Sequence, residues 1–370
     1  MVNVHGIIYA YGATPNLTEL VRNRTAASIP YCGRYRLIDF ALSSLMIAGI
    51  HNVGVIMQRD YQSLLDHLGS GKDWDMGRRM GGLRMLPPFG LPEYHNGNYS
   101  GTMEALNGVR TYIEDIKEDT VVMMQGNLAG NIDLEAALRN HKKSEAELTA
   151  ICTDTTPEYR HHRFVPDADG FARRMVFNRY EAGEGIASLE AYIVSKELLL
   201  KLMDYCYTEN KHHFHRDAIA NYLEGGGRVN IYMHNGYAKR IMSTESYFRS
   251  SMESLRPEVR ADLFPVERPV RTKSHEDVST YYSESAVSRN SLISDGCMVE
   301  GEVINSVIFS GVRIGKGAKL KNCILMRGCE IGENVCLTNC IVDKYVTIGA
   351  DQTLAGSPAL PLVVPKFSKI

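Results

Sequence analysis

The sequence lacks several features that mark specialised classes of protein. It contains no run of about 18 uninterrupted apolar residues, which argues against a membrane-spanning helix. The N-terminal residues have no charged region followed by a long apolar stretch and a small-residue cleavage site, so a secretory signal peptide is not expected. Lysine and arginine number 41 against 43 aspartates and glutamates, which leaves no basic excess for nucleic acid or an anionic membrane. We therefore expect a cytoplasmic protein.

Cysteine pairs of the Cys-x-x-Cys type are also absent, although the chain has eight cysteines. In a reducing compartment, isolated thiols act as small apolar side chains. A zinc site is an alternative interpretation for four that lie close together, namely Cys323, Cys329, Cys336 and Cys340. Because free cysteine is so often buried, packing is the preferred interpretation.

The first 240 or so residues alternate short apolar runs with longer helix-like stretches. The runs include residues 54–57, 120–124 and 148–152. This alternation predicts an α/β domain with a mainly parallel sheet and crossover helices. Ligands bind such sheets beyond the carboxyl ends of the strands, so functional residues are expected in the loops that follow them.

The C-terminal part of the chain repeats with a period of 17 residues. The repeated positions are an asparagine at 305, 322 and 339 and an Ile-Gly pair at 314, 331 and 348. An aliphatic residue at fixed phase with glycine at the corner is typical of a parallel β-helix, in which like residues stack. Cys323 and Cys340 then occupy positions equivalent to Ser306, which again favours packing over zinc. Residues 245–285 are polar and contain three X-Pro pairs, and they predict a helix followed by an extended linker.

The segment after the first apolar run raises a question about phosphate binding. A phosphate loop at the end of a first strand needs glycines, which let backbone N–H groups approach the oxyanion, and usually a basic side chain. Residues 10–21 read AYGATPNLTELV, with one glycine and no basic residue. The position is that of a phosphate loop, but the residues that hold phosphate are missing.

A set of motifs along nearly the whole chain matches one enzyme family. They are residues 33–40 (GRYRLIDF), 69–75 (GSGKDWD), Arg78 and Arg79, Gly101 and Thr102, Ala187 and Ser188, Asp217, and Gly236 and Tyr237. By these motifs the chain resembles the ADP-glucose pyrophosphorylases, the glucose-1-phosphate adenylyltransferases of glycogen and starch synthesis. The resemblance implies a Rossmann-like (GT-A-like) nucleotidyltransferase domain over residues 1–245, here degenerate, then a helix and linker over 246–285 and a left-handed parallel β-helix over 286–370.

Members of that family join ATP and glucose 1-phosphate into ADP-glucose and pyrophosphate, and this chain departs from their nucleotide-binding residues. The family's G-G-x-G-x-R-L loop falls on residues 11–17, so Tyr11 and Thr14 replace glycines and Asn16 replaces the arginine. Side chains stand where backbone N–H groups would touch phosphate. The active-site lysine of the family falls on Ala26.

The metal-binding and sugar-phosphate positions depart as well. The two aspartates that hold Mg²⁺ in the family fall on Asn127, which has no charge, and on Arg240, which has the opposite charge. The family's F-x-E-K-P motif falls on residues 177–181, so Arg179 and Tyr180 stand in place of the glutamate and the lysine. Glu190 replaces a glycine two residues after Ser188.

Losing these groups together removes the charges on which nucleotidyl transfer depends, since each such contact is worth several kcal/mol in the transition state. The pattern resembles the GlgD-type regulatory subunit, a non-catalytic chain that activates a catalytic GlgC-type partner. The resemblance implies a hetero-oligomer, most simply a tetramer, and leaves open a homo-oligomer of this chain alone. No catalytic residue, metal or cofactor is expected on this chain, and Mg²⁺ serves the catalytic partner.

Two groups of residues are candidates for surviving binding sites. Arg24 and Arg36 match positions that line an anionic-effector site in the family, and arginine suits bidentate binding of a phosphorylated effector. The alternative is a solvated loop with structural ion pairs, for which Asp39 is an obvious partner. A residual nucleotide pocket is the second candidate, with Gly12, Gln58, Gly101 and Thr102.

Two other functions stay open. One is an active sugar-1-phosphate nucleotidyltransferase with rearranged ligands, for which the available carboxylates are Asp39, Asp73, Asp75 and Asp133. The other is a stand-alone sensor of a sugar phosphate or nucleotide. The histidines at 161–162 and 212–215 suggest a metal, but adjacent histidines on a strand point to opposite faces, so a polar surface or disordered loop is favoured.

Overall fold

The helices of the protein are mostly short. The computed structural model describes residues 3–10, 16–79, 81–88, 99–154, 161–178, 184–274 and 276–370. Within this part of the chain, no helix is long and apolar enough to cross a membrane. Short 3₁₀ turns span Thr18–Val21, Ala26–Ser28 and Lys72–Trp74, and a π-helical turn spans Phe214–Ile219. The α-helices are α1 (Ile38–Ile47), α2 (Gln62–Leu68), α3 (Thr102–Gly108), α4 (Arg110–Glu114), α5 (Leu134–Ser144), α6 (Lys196–Thr208), α7 (Ala220–Glu224), α8 (Thr244–Glu253) and α9 (Pro257–Leu263).

Nine strands form the central sheet of the N-terminal part, in the order β5-β4-β1-β6-β11-β8-β12-β10-β9. Two further pairs, β7 with β13 and β2 with β3, are antiparallel. The strands are β1 (Val4–Tyr9), β2 (Pro30–Tyr31), β3 (Tyr35–Arg36), β4 (Val53–Ile56), β5 (Leu83–Leu86), β6 (Thr120–Gln125), β7 (Leu128–Gly130), β8 (Leu148–Thr153), β9 (His161–Pro166), β10 (Phe171–Asn178), β11 (Ile186–Ser195), β12 (Val229–Met233) and β13 (Ala238–Arg240).

The central sheet is mixed: the expectation of a mainly parallel sheet holds for its first four strands and for the β8–β12 pair, and is wrong for the pairings of β11, β10 and β9. Strands β5, β4, β1 and β6 are parallel, as the alternation of apolar runs and helices predicts. Strand β11 runs antiparallel to both β6 and β8. Strands β9 and β10 are joined by four residues, and a connection that short gives an antiparallel pair because a parallel crossover needs a dozen or more residues.

The described chain divides into two compact units that are interleaved along the sequence. The first unit comprises Met1–Ala13, Ile38–Arg240 and Val266–Arg271, and it contains the central sheet. The second comprises Thr14–Leu37, Ile241–Pro265 and Thr272–Ile370. In the first unit, the buried core includes Ile7 and Met123 on the central strands and Leu199 on α6.

The second unit is built around a parallel β-helix of three five-stranded sheets. Their orders are β14-β17-β20-β23-β26, β15-β18-β21-β24-β27 and β16-β19-β22-β25-β28. The strands are β14 (Tyr281–Tyr282), β15 (Val287–Arg289), β16 (Leu292–Ile293), β17 (Met298–Val299), β18 (Glu302–Ile304), β19 (Val307–Ile308), β20 (Arg313–Ile314), β21 (Lys319–Lys321), β22 (Ile324–Leu325), β23 (Glu330–Ile331), β24 (Cys336–Thr338), β25 (Cys340–Val342), β26 (Thr347–Ile348), β27 (Thr353–Ala355) and β28 (Leu362–Val364).

Pairing between coils confirms the 17-residue period. Lys319 pairs with Cys336, which pairs in turn with Thr353. At one corner Asn322 and Asn339 have φ of 52° and 51°, a left-handed conformation that asparagine tolerates, and the amide of Asn322 donates to Oδ1 of Asn339 at 3.0 Å. Cys323 and Cys340 are fully buried in the coil, as packing requires.

Residues 16–37 belong to the second unit, and side chains of that unit form hydrogen bonds to them. The hydroxyl of Tyr247 on α8 donates to the carbonyl oxygen of Pro30 at 2.8 Å. The hydroxyl of Ser294 donates to the carbonyl oxygen of Gly33, also at 2.8 Å. Both tyrosines at the centre of this packing, Tyr31 and Tyr247, are fully buried.

Candidate functional site

The two positions aligned with the metal-binding aspartates lie side by side in the first unit. Asn127 follows β6 and immediately precedes β7, while Arg240 ends β13 and pairs with Leu128 across the β7–β13 ladder. Both side chains are buried, Asn127 with 6% and Arg240 with 7% of its surface exposed. The two positions that the family resemblance aligns with metal-binding aspartates therefore hold a buried neutral amide and a buried cation.

Glu190 provides the charge that compensates Arg240. It lies on β11 at an irregularity in the pairing with β8 and has φ of 54°, in the left-handed region that favours glycine. Glycine adopts this conformation readily, which agrees with the glycine that the family resemblance expects at this position. Its backbone N–H donates to Oγ of Ser188 at 3.0 Å, which fixes the irregular turn of the strand.

The carboxylate of Glu190 forms a buried ion pair with the guanidinium of Arg240 through Oε1 and Nη1. Its other oxygen, Oε2, accepts a long hydrogen bond of 3.4 Å from Nε2 of Gln125 at the end of β6. Burial raises the pKa of Glu190, but the charge of Arg240, together with smaller contributions from His215 and His162, outweighs burial and holds the pKa well below its usual range. Both members of the pair are therefore charged at neutral pH, and each neutralises the charge of the other.

Two histidines complete this cluster, which contradicts their prediction as a polar surface or a disordered loop. His162 on β9 is buried, and its Nδ1 lies 3.5 Å from Oε1 of Glu190. The ring of His215, in the π-helical turn, packs against that of His162 with centroids 3.6 Å apart. Burial lowers the pKa of His215 from its ordinary value of 6.5 to about 3. His161 and His162 are both buried, so the expectation that neighbouring histidines alternate faces of the strand does not show which residues each one contacts.

The other residues that the sequence analysis proposed for nucleotide binding are divided between the two units. Asn16 and Ala26 lie in the second unit, where the carbonyl oxygen of Asn16 accepts a hydrogen bond from the backbone N–H of Thr244 at 2.9 Å. Five candidates lie outside the described residues: Tyr11, Gly12, Thr14, Arg179 and Tyr180.

Three candidates for a residual nucleotide pocket lie in the first unit. Gln58 follows the carboxyl end of β4, where the α/β pattern predicts ligand-binding residues. Gly101 precedes α3, and a Cβ on it would lie 2.1 Å from the carbonyl oxygen of His212, so close packing requires glycine there. Thr102 begins α3 and is partly exposed.

Of the four carboxylates considered as rearranged metal ligands, three are committed elsewhere or exposed, and Asp73, in the Lys72–Trp74 turn, is half-buried. Asp39 is fully buried and hydrogen-bonds Nε2 of His67. Asp133 caps α5 by accepting from the backbone N–H of Ala136 at 2.9 Å. Asp75 is exposed beside Arg78 on the surface. These positions give no support to an active site with substituted ligands.

Arg24, a candidate effector residue, is held inside the second unit. It is 5% exposed and forms a buried ion pair with Asp343, a residue of the β-helix. The sequence suggested Asp39 as an arginine partner, but the partner of Arg24 is Asp343. Lys344 follows Asp343, and burial together with the charges of Arg36 and Arg24 lowers the pKa of Lys344 to about 7. Arg24, Arg36 and Lys344 form what we term the cationic cluster.

Comparison with known proteins agrees with this architecture. A nucleotidyl transferase family model matches residues 5–251, and a model described as the GlmU-like C-terminal hexapeptide matches residues 276–358. The chain is 33% identical over 351 residues to the glycogen biosynthesis protein GlgD of Bacillus subtilis, covering 95% of this chain and 92% of that protein. The chain belongs to the glucose-1-phosphate adenylyltransferase family.

Relatives that carry the enzyme's name are nearly as similar. A glucose-1-phosphate adenylyltransferase of Clostridium perfringens is 30% identical over 321 residues, covering 85% of this chain and 82% of that protein. The corresponding protein of Thermotoga neapolitana is 32% identical over 326 residues, covering 87% and 77%. Against this family, Asn127 and Arg240 do not fit Mg²⁺, because a hard dication requires anionic oxygen ligands. Arg240, which the resemblance aligns with one of those ligands, is a buried guanidinium.

Proposed function

We propose that this chain is a non-catalytic regulatory subunit of ADP-glucose pyrophosphorylase in glycogen biosynthesis, which assembles with and activates a catalytic GlgC-type subunit. The observation that carries the proposal is the ion pair of Glu190 with Arg240, the residue that the family resemblance aligns with a metal-binding aspartate. Nucleotidyl transfer concentrates negative charge on phosphate oxygens, which Mg²⁺ and basic side chains must neutralise. Here the basic residue is already neutralised by the protein itself.

The magnitude of the loss supports a catalytically silent chain. Removing a single transition-state contact typically lowers kcat by about 10²–10³. This chain lacks the loop arginine, the lysine and both metal carboxylates at positions 16, 26, 127 and 240. We therefore expect its own turnover to lie at least about 10³ below that of a catalytic homologue.

Regulation is proposed to act through the cationic cluster of the second unit. Arg24, Arg36 and Lys344 place three basic groups near one carboxylate, Asp343, and burial together with their mutual repulsion lowers the pKa of Lys344. An anion with several charged oxygens would relieve that repulsion, and arginine binds such groups in a bidentate manner. The effector class that fits is a small phosphorylated metabolite.

The test is ADP-glucose formation from ATP, glucose 1-phosphate and Mg²⁺ by this chain alone, a catalytic homologue alone, and the two co-purified. We expect no turnover by this chain alone, with raised activity or an altered effector response in the mixture. Arg36→Gln should blunt the effector response of the mixture while leaving co-purification intact. Turnover by this chain alone that is lost on changing its own pocket would contradict the proposal.

The cationic cluster also gives support to a stand-alone anion sensor. The two functions differ in what the partner does. If phosphorylated ligands raise the melting temperature of this chain, but no catalytic homologue co-purifies with it or changes its rate, the sensor is the better description.

A further inference from the structure

Three side chains of the first unit converge on one point. They are His162 on β9, Glu190 on β11 and His215 in the π-helical turn. One nitrogen or carboxylate oxygen from each lies within 4.8 Å of those of the other two. Across the described ranges of the chain, this is the one group of three or more His, Cys, Asp and Glu side chains with such spacing.

One ligand atom of the cluster lacks a hydrogen bond. Nδ1 of His162 is buried and has no hydrogen-bond partner among the described residues, and it faces Oε1 of Glu190 at 3.5 Å. His162 itself is only 4% exposed. A buried polar atom without a partner is costly, and native proteins usually satisfy it with a protein group, a water or an ion. Coordination of a cation would satisfy this nitrogen.

The backbone around the cluster is arranged to bring the three side chains inward. Glu190 adopts the left-handed conformation of the glycine that it replaces, which gives a carboxylate to a position that has none in the family. His215 belongs to a π-helical turn, a rare element that is frequent at functional sites.

We propose that His162, Glu190 and His215 form a binding site for a transition-metal dication, with Zn²⁺ as the best-suited ion. Two imidazoles and one carboxylate are a recognised donor set for zinc, with the fourth position left to an exogenous ligand. Mg²⁺ and Ca²⁺ prefer oxygen donors throughout, so this site differs in chemistry and in residues from the magnesium site of the family. It lies beside that position, on different residues.

The charge of Arg240 allows a prediction about the direction in which zinc affinity should change. A carboxylate has about four lone-pair positions, so the contacts of Glu190 with Arg240 and Gln125 leave room for an ion. The guanidinium nevertheless repels a dication bound to the same carboxylate, which weakens binding. Arg240→Leu should therefore tighten Zn²⁺ binding by about tenfold or more, whereas binding to cysteine thiols elsewhere in the chain should not change.

The experiment titrates Zn²⁺ into the full chain, stripped of metal and kept reduced, in competition with a chromogenic chelator. We expect one ion per chain and a loss of affinity of about 100-fold in His162→Ala and in His215→Ala. His161→Ala is the matched control, since it removes the neighbouring buried imidazole of the same strand and should keep the affinity. Because His162→Ala risks misfolding, the partly exposed His215 provides the second variant, with circular dichroism to verify its fold.

Cobalt substitution distinguishes the ligands. Bound Co²⁺ should give visible d–d bands without the near-ultraviolet charge-transfer band of thiolate ligation. Failure of the wild type to compete with the chelator, wild-type affinity in both histidine variants, or a dominant thiolate band would each overturn the site. The inference is independent of the regulatory role, because it is measured on the isolated chain without a catalytic partner.

Discussion

Replacing Glu190 with glutamine removes the charge that balances Arg240 while keeping the shape of the side chain. Both partners of the ion pair have side chains only 8% exposed, so neither is screened by solvent. Breaking a buried pair by removing one partner costs about 3–5 kcal/mol, because the remaining charge is left uncompensated. A unit of this size loses about 2–4 °C of melting temperature per kcal/mol. Glu190→Gln should therefore lower the Tm by at least about 6 °C.

The assay is thermal unfolding by differential scanning calorimetry at pH 7, with Glu135→Gln as the matched control. Glu135 pairs with Arg139 on the exposed face of α5, at 3.6 Å, so its loss should change the Tm by no more than about 2 °C. Glu190→Gln combined with Arg240→Gln should recover part of the loss, since no charge is then left unpaired. A Tm for Glu190→Gln equal to that of the control would refute the reasoning.

The pH dependence of the same variant gives a second check. The pKa of Glu190 is held below its usual range in the folded chain, so the unfolded chain binds the proton first as the pH falls. The stabilisation is complete above the ordinary carboxyl pKa and is lost in the acid range below it. The difference in stability between wild type and Glu190→Gln should therefore be constant from about pH 8 to 6 and shrink below about pH 4.5.

Three further predictions concern other charged groups. His215→Gln should flatten the pH dependence of stability between about pH 6.5 and 3 in acid-denaturation curves, because the pKa of His215 is lowered to about 3 and only the unfolded chain gains that proton as the pH falls. Asp343→Asn should cost about 3–5 kcal/mol in urea unfolding by leaving the buried Arg24 unpaired, whereas Arg22→Gln, at an exposed pair, should change little. Sulfate, an anion of constant charge, should bind more tightly in calorimetric titrations as the pH falls through about 7, since the pKa of Lys344 is lowered to that value. Lys344→Met should abolish this pH dependence. Sulfate binding by the wild type that does not vary with pH would contradict the anion-binding role of Lys344.

The sequence by itself determined the β-helix and its residue pattern. A period of 17 residues, with asparagine and Ile-Gly at constant phase, can be read without coordinates because each coil meets only its neighbours. The buried positions of Cys323 and Cys340 follow from that period. The parallel half of the central sheet was also predictable, since buried parallel strands alternate with helices along the chain.

Local patterns could not predict which distant segments pair. The antiparallel strand β11 lies between β6 and β8 because of sheet order, which no periodicity contains. The place of residues 16–37 in the second unit depends on hydrogen bonds such as that from Tyr247 to Pro30, two residues more than 200 positions apart in the sequence.

The chemistry of the site shows the same division. Alignment of motifs identified Arg240 as a cation at a metal position and Glu190 as an acid at a glycine position, and these two departures of opposite charge were the one available sign of a pair. Only the tertiary structure places them in contact, with His162 and His215 beside them, because the four residues come from β9, β11, β13 and the π-helical turn. The sequence states the charge of each residue, but which charged residue it contacts depends on how segments far apart along the chain pack together.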